Sequence, residues 1–231
     1  MRETKVVPFY LMVDVSWSMG ARLDAVNRFL PAVQEALCRD PVLADNIRFG
    51  FIDFADDAQV RLPLCDLLDP NVELPVLTPR GGLCFASAFE VLHQEIDINV
   101  AQLRADGYAV YRPIVWFLSG GRPSDDPEAM RRAFVGLTSM KWSPNVIPCV
   151  LDPAGIDTMA QLIHPATGAR RCALYSVDAF HPEAMAGIGE TLVSSVIQVG
   201  YSNARGWTGS ILPPRSHLPA GITQHDPDDF P

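Results

Sequence analysis

The sequence predicts a doubly wound α/β fold, an open and mostly parallel sheet with helices on both faces. Three observations carry this. Apolar runs of strand length alternate with segments of helical period as far as about residue 200. Several of the runs are continuously apolar, as strands covered on both faces are. Three of them end in polar loops, Asp14–Gly20, Asp53–Asp57 and Ser119–Asp126, at the carboxyl ends where such sheets bind ligands.

The elements follow in order. Val6–Val15 reads as a buried strand, and Leu23, Val26, Leu30, Val33 and Leu37 then share one helical face, with Pro31 expected to kink or break that helix. Ile47–Phe54 ("IRFGFIDF") is the second strand. Val60–Leu68 is a third, at an edge, because Pro63 cannot donate to a ladder. "LTPRGG" is a loop, and Phe85–Ala105 a long helix with Phe89, Leu92, Ile96 and Val100 inward. Pro113–Leu118 is a strong buried strand ending in Ser119-Gly120-Gly121. Pro127–Leu137 is a helix, Asn145–Leu151 a strand, Ile156–Ile163 a short helix, Cys172–Tyr175 a short strand and Pro182–Gln198 a last helix. Residues 1–200 thus form one domain, and 201–231 a Pro/Gly-rich arm or tail that is not expected to continue the core as a regular element.

Composition excludes several classes. With 48% apolar and 19% charged residues the chain is globular. Its net charge of −9 argues against coating nucleic acid, which needs a basic face. Five scattered cysteines, with no Cys-x-x-Cys, fit free thiols in a reducing compartment. Pro8 and Asp14 interrupt the N-terminal apolar run, so no signal peptide is expected, and no run approaches the ~20 residues of a membrane span. A cytoplasmic protein without membrane or nucleic-acid partners is the expectation.

The chemistry concentrates in "VDVSWSMG". Asp14, Ser16 and Ser18 place three oxygens at alternate positions of a turning loop, which suits a hard cation. Magnesium or manganese wants six oxygens, so other loops have to complete the shell. The same pattern alone also serves to cap the next helix.

This stretch resembles the first motif of the von Willebrand factor A (VWA) domain, whose metal-ion-dependent adhesion site is built from three loops. With "DAVNRFLPAVQEAL", "RFGFIDFADDAQV", "RPIVWFLSGGRPSDD" and "PNVIPCVL", the chain is most similar to stand-alone bacterial VWA proteins of the TerY type. The resemblance covers about residues 6–200. It implies a role in a tellurite-resistance, stress or defence gene cluster, beside a Ser/Thr kinase or a metal-dependent phosphatase. It also implies that Ser16 and Ser18 bind a cation directly, and Asp14 directly or through water. The second motif, however, has Leu83 in place of its threonine ligand, and the third has Gly120 in place of its aspartate. One placed carboxylate remains, so no stable site is expected at physiological magnesium. The alternative is a low-affinity magnesium or manganese site rebuilt with Thr78, Ser119, Asp125 or Asp126.

Trp17 is a second departure, since that position of the motif is usually small. It is either a binding anchor, as tryptophan often is, or a cover folded over the strand ends. Arg80 and Arg122 are candidate partner contacts because guanidinium binds carboxylates directly, and Asp125 is a fourth candidate.

Enzyme motifs are missing. Phe117 stands where a nucleophile elbow needs glycine, there is no phosphate loop, and His93, His164, His181, His217 and His225 make no paired ligand spacing. Each histidine reads as a surface residue, Asp56-Asp57 and Asp125-Asp126 as solvated turns, and "HDPDD" as an acidic docking patch. The expected function is a non-catalytic interaction module, an adaptor or scaffold, that binds a protein through the face around Trp17, Leu83 and Arg122. The alternatives are a magnesium- or manganese-dependent ligand binder, an enzyme of unrecognised type, and a structural subunit held by the arm, whose deletion would leave the domain folded.

Overall fold

The structure, a computed structural model, describes residues 4–168, 171–178, 183–204 and 211–230. One sheet organises it, in the order β3-β2-β1-β5-β6-β7-β8, with β4 paired to the start of β1. The strands are β1 (Lys5–Asp14), β2 (Ile47–Phe54), β3 (Ala58–Cys65), β4 (Ala109–Val110), β5 (Ile114–Ser119), β6 (Asn145–Val150), β7 (Leu174–Val177) and β8 (Ile222–His225). The named strands pair in parallel except at the two edges, where β3 runs antiparallel to β2 and β8 antiparallel to β7.

The helices are α1 (Gly20–Val26), α2 (Phe29–Arg39), α3 (Pro41–Asn46), α4 (Phe85–Ala105), α5 (Pro127–Ser139), α6 (Ile156–Ala160) and α7 (Ala184–Ala204). α2, α3 and α7 pack together in one layer against β1, while α4 and α5 pack together, with α4 against β2 and β3. Nine of the ten residues of β1 are buried, as a central strand covered on both sides must be. The chain leaves β1 toward β2 on one side and returns to β5 on the other. The end of β1 is therefore a switch point, where the chain's connections diverge to either side. Phe117 of β5 anchors that end, stacked on Phe54 at 4.7 Å and met edge-on by Phe85 at 5.0 Å.

The predicted fold class holds, with local corrections. The first helical segment breaks at Asn27–Arg28 and not at Pro31. Pro31 sits in the first turn of α2, where a missing N–H removes no helical bond. α3 and β4 had no counterpart in the sequence reading. The predicted start of the last helix at Pro182 lies outside the described residues, and that helix runs on to Ala204. The pattern does not stop at Tyr201. Ile211 and Leu212 are buried, and β8 adds an edge strand that buries Ile222. The acidic "HDPDD" is no open patch either, because Arg171 and Arg215 pair with Asp226, and Arg171 with Asp228.

Candidate functional site at the strand ends

Asp14 ends β1 fully buried, and its carboxylate gathers two loops. Oδ1 accepts from the Ser16 N–H at 2.8 Å; Oδ2 accepts from the Ser119 hydroxyl at 2.7 Å and the Gly120 N–H at 3.3 Å. The Ser119 oxygen accepts in turn from the Gly121 N–H at 2.9 Å. The Ser16 and Ser18 hydroxyls bond to each other at 2.9 Å. First and third loops are thus bracketed by one carboxylate whose two oxygens both have donors.

The second loop is pinned by backbone bonds. Arg80 N–H donates to the Val15 carbonyl at 2.7 Å and Trp17 N–H to the Gly81 carbonyl at 3.2 Å. The Asp56 carboxylate lies against Gly81 and Gly82 so closely that a Cβ at either would overlap it, and Gly81 has φ +56°. The backbone conformation favours glycine at Gly81, and a Cβ at either position would displace the exposed Asp56 carboxylate.

The candidate ligands divide. Asp14, Ser16, Ser18 and Ser119 converge and offer one carboxylate and three hydroxyls. Thr78 is exposed on its loop. Asp125 instead accepts from the Ala86 N–H at 2.8 Å and the Phe85 N–H at 3.3 Å, capping α4 from a distant loop. Asp126 caps α5 through the Ala129 N–H. At Gly120 an added Cβ meets nothing within 4 Å, so the position is open but brings no oxygen. One carboxylate with neutral hydroxyls offsets half of a dication's charge, and the two remaining motif positions supply no side-chain donor. Among the described residues no three His, Cys, Asp or Glu side chains cluster in a metal-binding arrangement.

The candidate contact residues divide as well. Trp17 is 69% exposed and does not fold over the strand ends. Its backbone lies between buried Ser16 and buried Met19 in a turn closed by Met19 N–H to the Ser16 carbonyl. Arg122 is also open, its side chain 65% exposed with one loose contact to Asp152 at 3.8 Å. Leu83 is only 6% exposed and belongs to the core, which corrects its assignment to the recognition face. Arg80 is corrected too. Its guanidinium donates to Asp53 at 2.7 Å and to Asp57, so it is committed inside the molecule. Asp53 is 1% exposed and takes Arg61 on its other oxygen at 2.7 Å, so the two arginines neutralise a buried charge. Asp57 is accordingly no plain solvated acid; bonds from Gln59 and Arg80 hold it below the usual carboxylate range. The sequence signal for this cluster was a single acid inside an apolar strand.

Two histidines depart from the surface reading. His164 Nε2 lies 3.0 Å from the Ser143 hydroxyl, and His225 Nε2 lies 2.8 Å from the Ser176 hydroxyl. Both are partly buried, and burial lowers both below the ordinary histidine value. Among the described residues no carboxylate hydrogen-bonds the second nitrogen of either ring, so neither pair forms a triad. His181 lies outside the described residues.

The sequence matches no family model and no curated protein. Solved structures do match. A von Willebrand factor type A protein from Catenulispora acidiphila is 12% identical with a TM-score of 0.58, covering 84% of this chain and 43% of its own. The SpRpn10 VWA domain is 14% identical with a TM-score of 0.54, over 78% of this chain and 92% of its own. A PilB minor pilin from Streptococcus sanguinis is 10% identical with a TM-score of 0.59, over 89% and 64%. At these identities the likeness is one of fold, and the fold is that of VWA domains. This chain spans less than half of the Catenulispora protein. No helix among the described residues is long and apolar enough to cross a membrane.

Proposed function

We propose that this chain is a non-catalytic protein-interaction module that binds a partner protein through its strand-end face without a bridging cation. The observation that carries the reading is Trp17. A large indole is held out to solvent by a turn whose own backbone is bonded to the second loop. Exposing such a side chain on a fixed scaffold gains nothing for folding, and it matches the anchors that dominate interface energetics. Arg122 stands on the neighbouring loop as an open cation for a partner carboxylate. The bracket around Asp14 supports cation independence, since its oxygens already have protein donors.

The finer reading rests on the resemblance to TerY-type proteins. In that reading the chain is an adaptor of a stress or defence gene cluster, with a Ser/Thr kinase or metal-dependent phosphatase as partner; a cytoplasmic location is proposed separately, from the scattered cysteines. The test is affinity purification from the source cells with wild type and Trp17→Ala, each with and without chelator. A partner retained in chelator and lost with Trp17→Ala supports the reading. A partner lost in chelator, or indifferent to Trp17→Ala, overturns it.

A further inference from the structure

α7 is unusual for a helix at the protein surface. Glu190 is the one charged residue among its 21, although Ala186, Glu190 and Ser194 are exposed. It runs beside α2, and Phe29 lies so close to Gly189 that a Cβ there would sit 2.8 Å from the ring. Next to this contact the two helices leave a groove of about 510 Å³. Phe29 lines its base, and small residues line its walls: Ala32 and Ala36 on α2, Ala186 and Gly189 on α7. Such walls let the ridge of another helix approach closely.

The rim carries charge of both signs. Arg28 precedes Phe29 on one side, and Glu190 follows Gly189 on the other. Both are exposed, and neither has an ion pair among the described residues, whereas Glu35 and Arg39 on the same rim pair with each other. We propose that this groove seats a second copy of the chain. In the two-fold dimer, α2 and α7 of each copy pack across the groove, and Arg28 of one copy faces Glu190 of the other, twice. On a two-fold axis that runs between the two α2 helices, the ridge of α2 of each copy seats in the other's groove, as an isologous interface requires. A partner of a single charge sign would leave one rim charge facing its like, whereas a second copy answers both. The 21 residues of α7 span about 31 Å but the 11 of α2 only about 16 Å, so the helix pair offers an interface at the small end of the range, that of a weak dimer. The net charge of −9 repels copies at long range, and physiological salt screens that repulsion.

The test is sedimentation velocity on the full chain at physiological salt, over roughly a hundredfold range of concentration. Wild type should dimerise. Arg28→Glu and Glu190→Arg should each weaken the dimer by about tenfold or more, because each sets two like-charge pairs across the axis. The double variant should recover, and so should an equimolar mixture of the two single variants, which pairs opposite charges at both ends. Circular dichroism checks that the exposed substitutions leave the fold intact. A wild type monomeric throughout the range overturns the proposal and leaves the groove to a different protein or to none. Single variants that dimerise like wild type, or a double variant that fails to recover, also overturn it.

Discussion

Replacing Asp14 by alanine tests whether this carboxylate is a structural bracket or a ligand waiting for a cation. The substitution removes three hydrogen bonds, at 2.8, 2.7 and 3.3 Å, and leaves the Ser16 and Gly120 N–H groups without their acceptor. Bonds to a charged acceptor contribute about 1.5–3 kcal/mol each, and the longest counts for least. The gross loss is about 3–6 kcal/mol. Removing a fully buried charge returns part of this, because its desolvation costs several kcal/mol. The expected net destabilisation is about 3 kcal/mol, or roughly 6–12 °C in Tm for a domain of this size. Urea denaturation in chelator, followed by tryptophan fluorescence, measures it. A loss below about 0.5 kcal/mol would show that the bracket holds nothing, since ordinary surface substitutions reach that level. A wild type strongly stabilised by added manganese would show that the carboxylate is poised for a metal.

Further consequences can be checked in the same way. Leu83→Thr with Gly120→Asp restores both missing ligand types, and the open space at Gly120 admits the new side chain; calorimetry should find manganese binding about tenfold or more tighter than in wild type, and no gain would mean that the loops are misplaced for a shell. Arg80→Ala leaves buried Asp53 with Arg61 alone and should cost about 2–3 kcal/mol of stability; unchanged stability with lost partner binding would return Arg80 to the recognition face. Truncation after Ala204 removes β8 and the buried Ile211, Leu212 and Ile222. At about 1.5–3 kcal/mol each it should cost at least about 4 kcal/mol, and a truncated chain as stable as wild type would make the arm dispensable.

The pH dependence has a definite sign. Burial, with Arg112 adding to it, lowers His164; burial lowers His225, with Asp229 opposing and Arg215 adding. Below about pH 6.5 the unfolded chain takes up protons that the folded chain resists, so stability falls as pH drops through that value. The urea midpoint should be lower at mildly acidic than at mildly alkaline pH, and His164→Asn with His225→Asn should shrink the difference. A midpoint that rises toward acid would contradict the assignment.

The fold was legible wherever periodicity and burial coincide. Phe85–Ala105 is read from its sequence because Phe89, Leu92, Ile96 and Val100 keep one face over about three turns, and all are buried. α3 has six residues and β4 two, too few for any period to register. β8 was hidden for another reason: an edge strand needs only one buried side chain, here Ile222, and its pairing partner β7 lies some 45 residues earlier. At the site, "VDVSWSMG" identified the loop, but what its residues touch depends on distant ones. Ser119 reaches Asp14 across 105 positions, and Asp125 caps α4 across 39 and 40. Arg80 looked available because nothing in its neighbourhood shows that Asp53 points into the molecule and needs a cation. Leu83 looked like a rim residue because the motif places a ligand there, whereas an apolar side chain at that position turns into the core.

The most direct test of the central claim is the affinity of the partner captured through this face, measured for wild type and Trp17→Ala in chelator and in manganese. Recognition by the indole and Arg122 predicts one affinity for wild type in both buffers. It also predicts a loss of about 2 kcal/mol or more, roughly thirtyfold, for Trp17→Ala. Binding that collapses in chelator, with Trp17→Ala equal to wild type in manganese, would contradict it and make a cation the bridge.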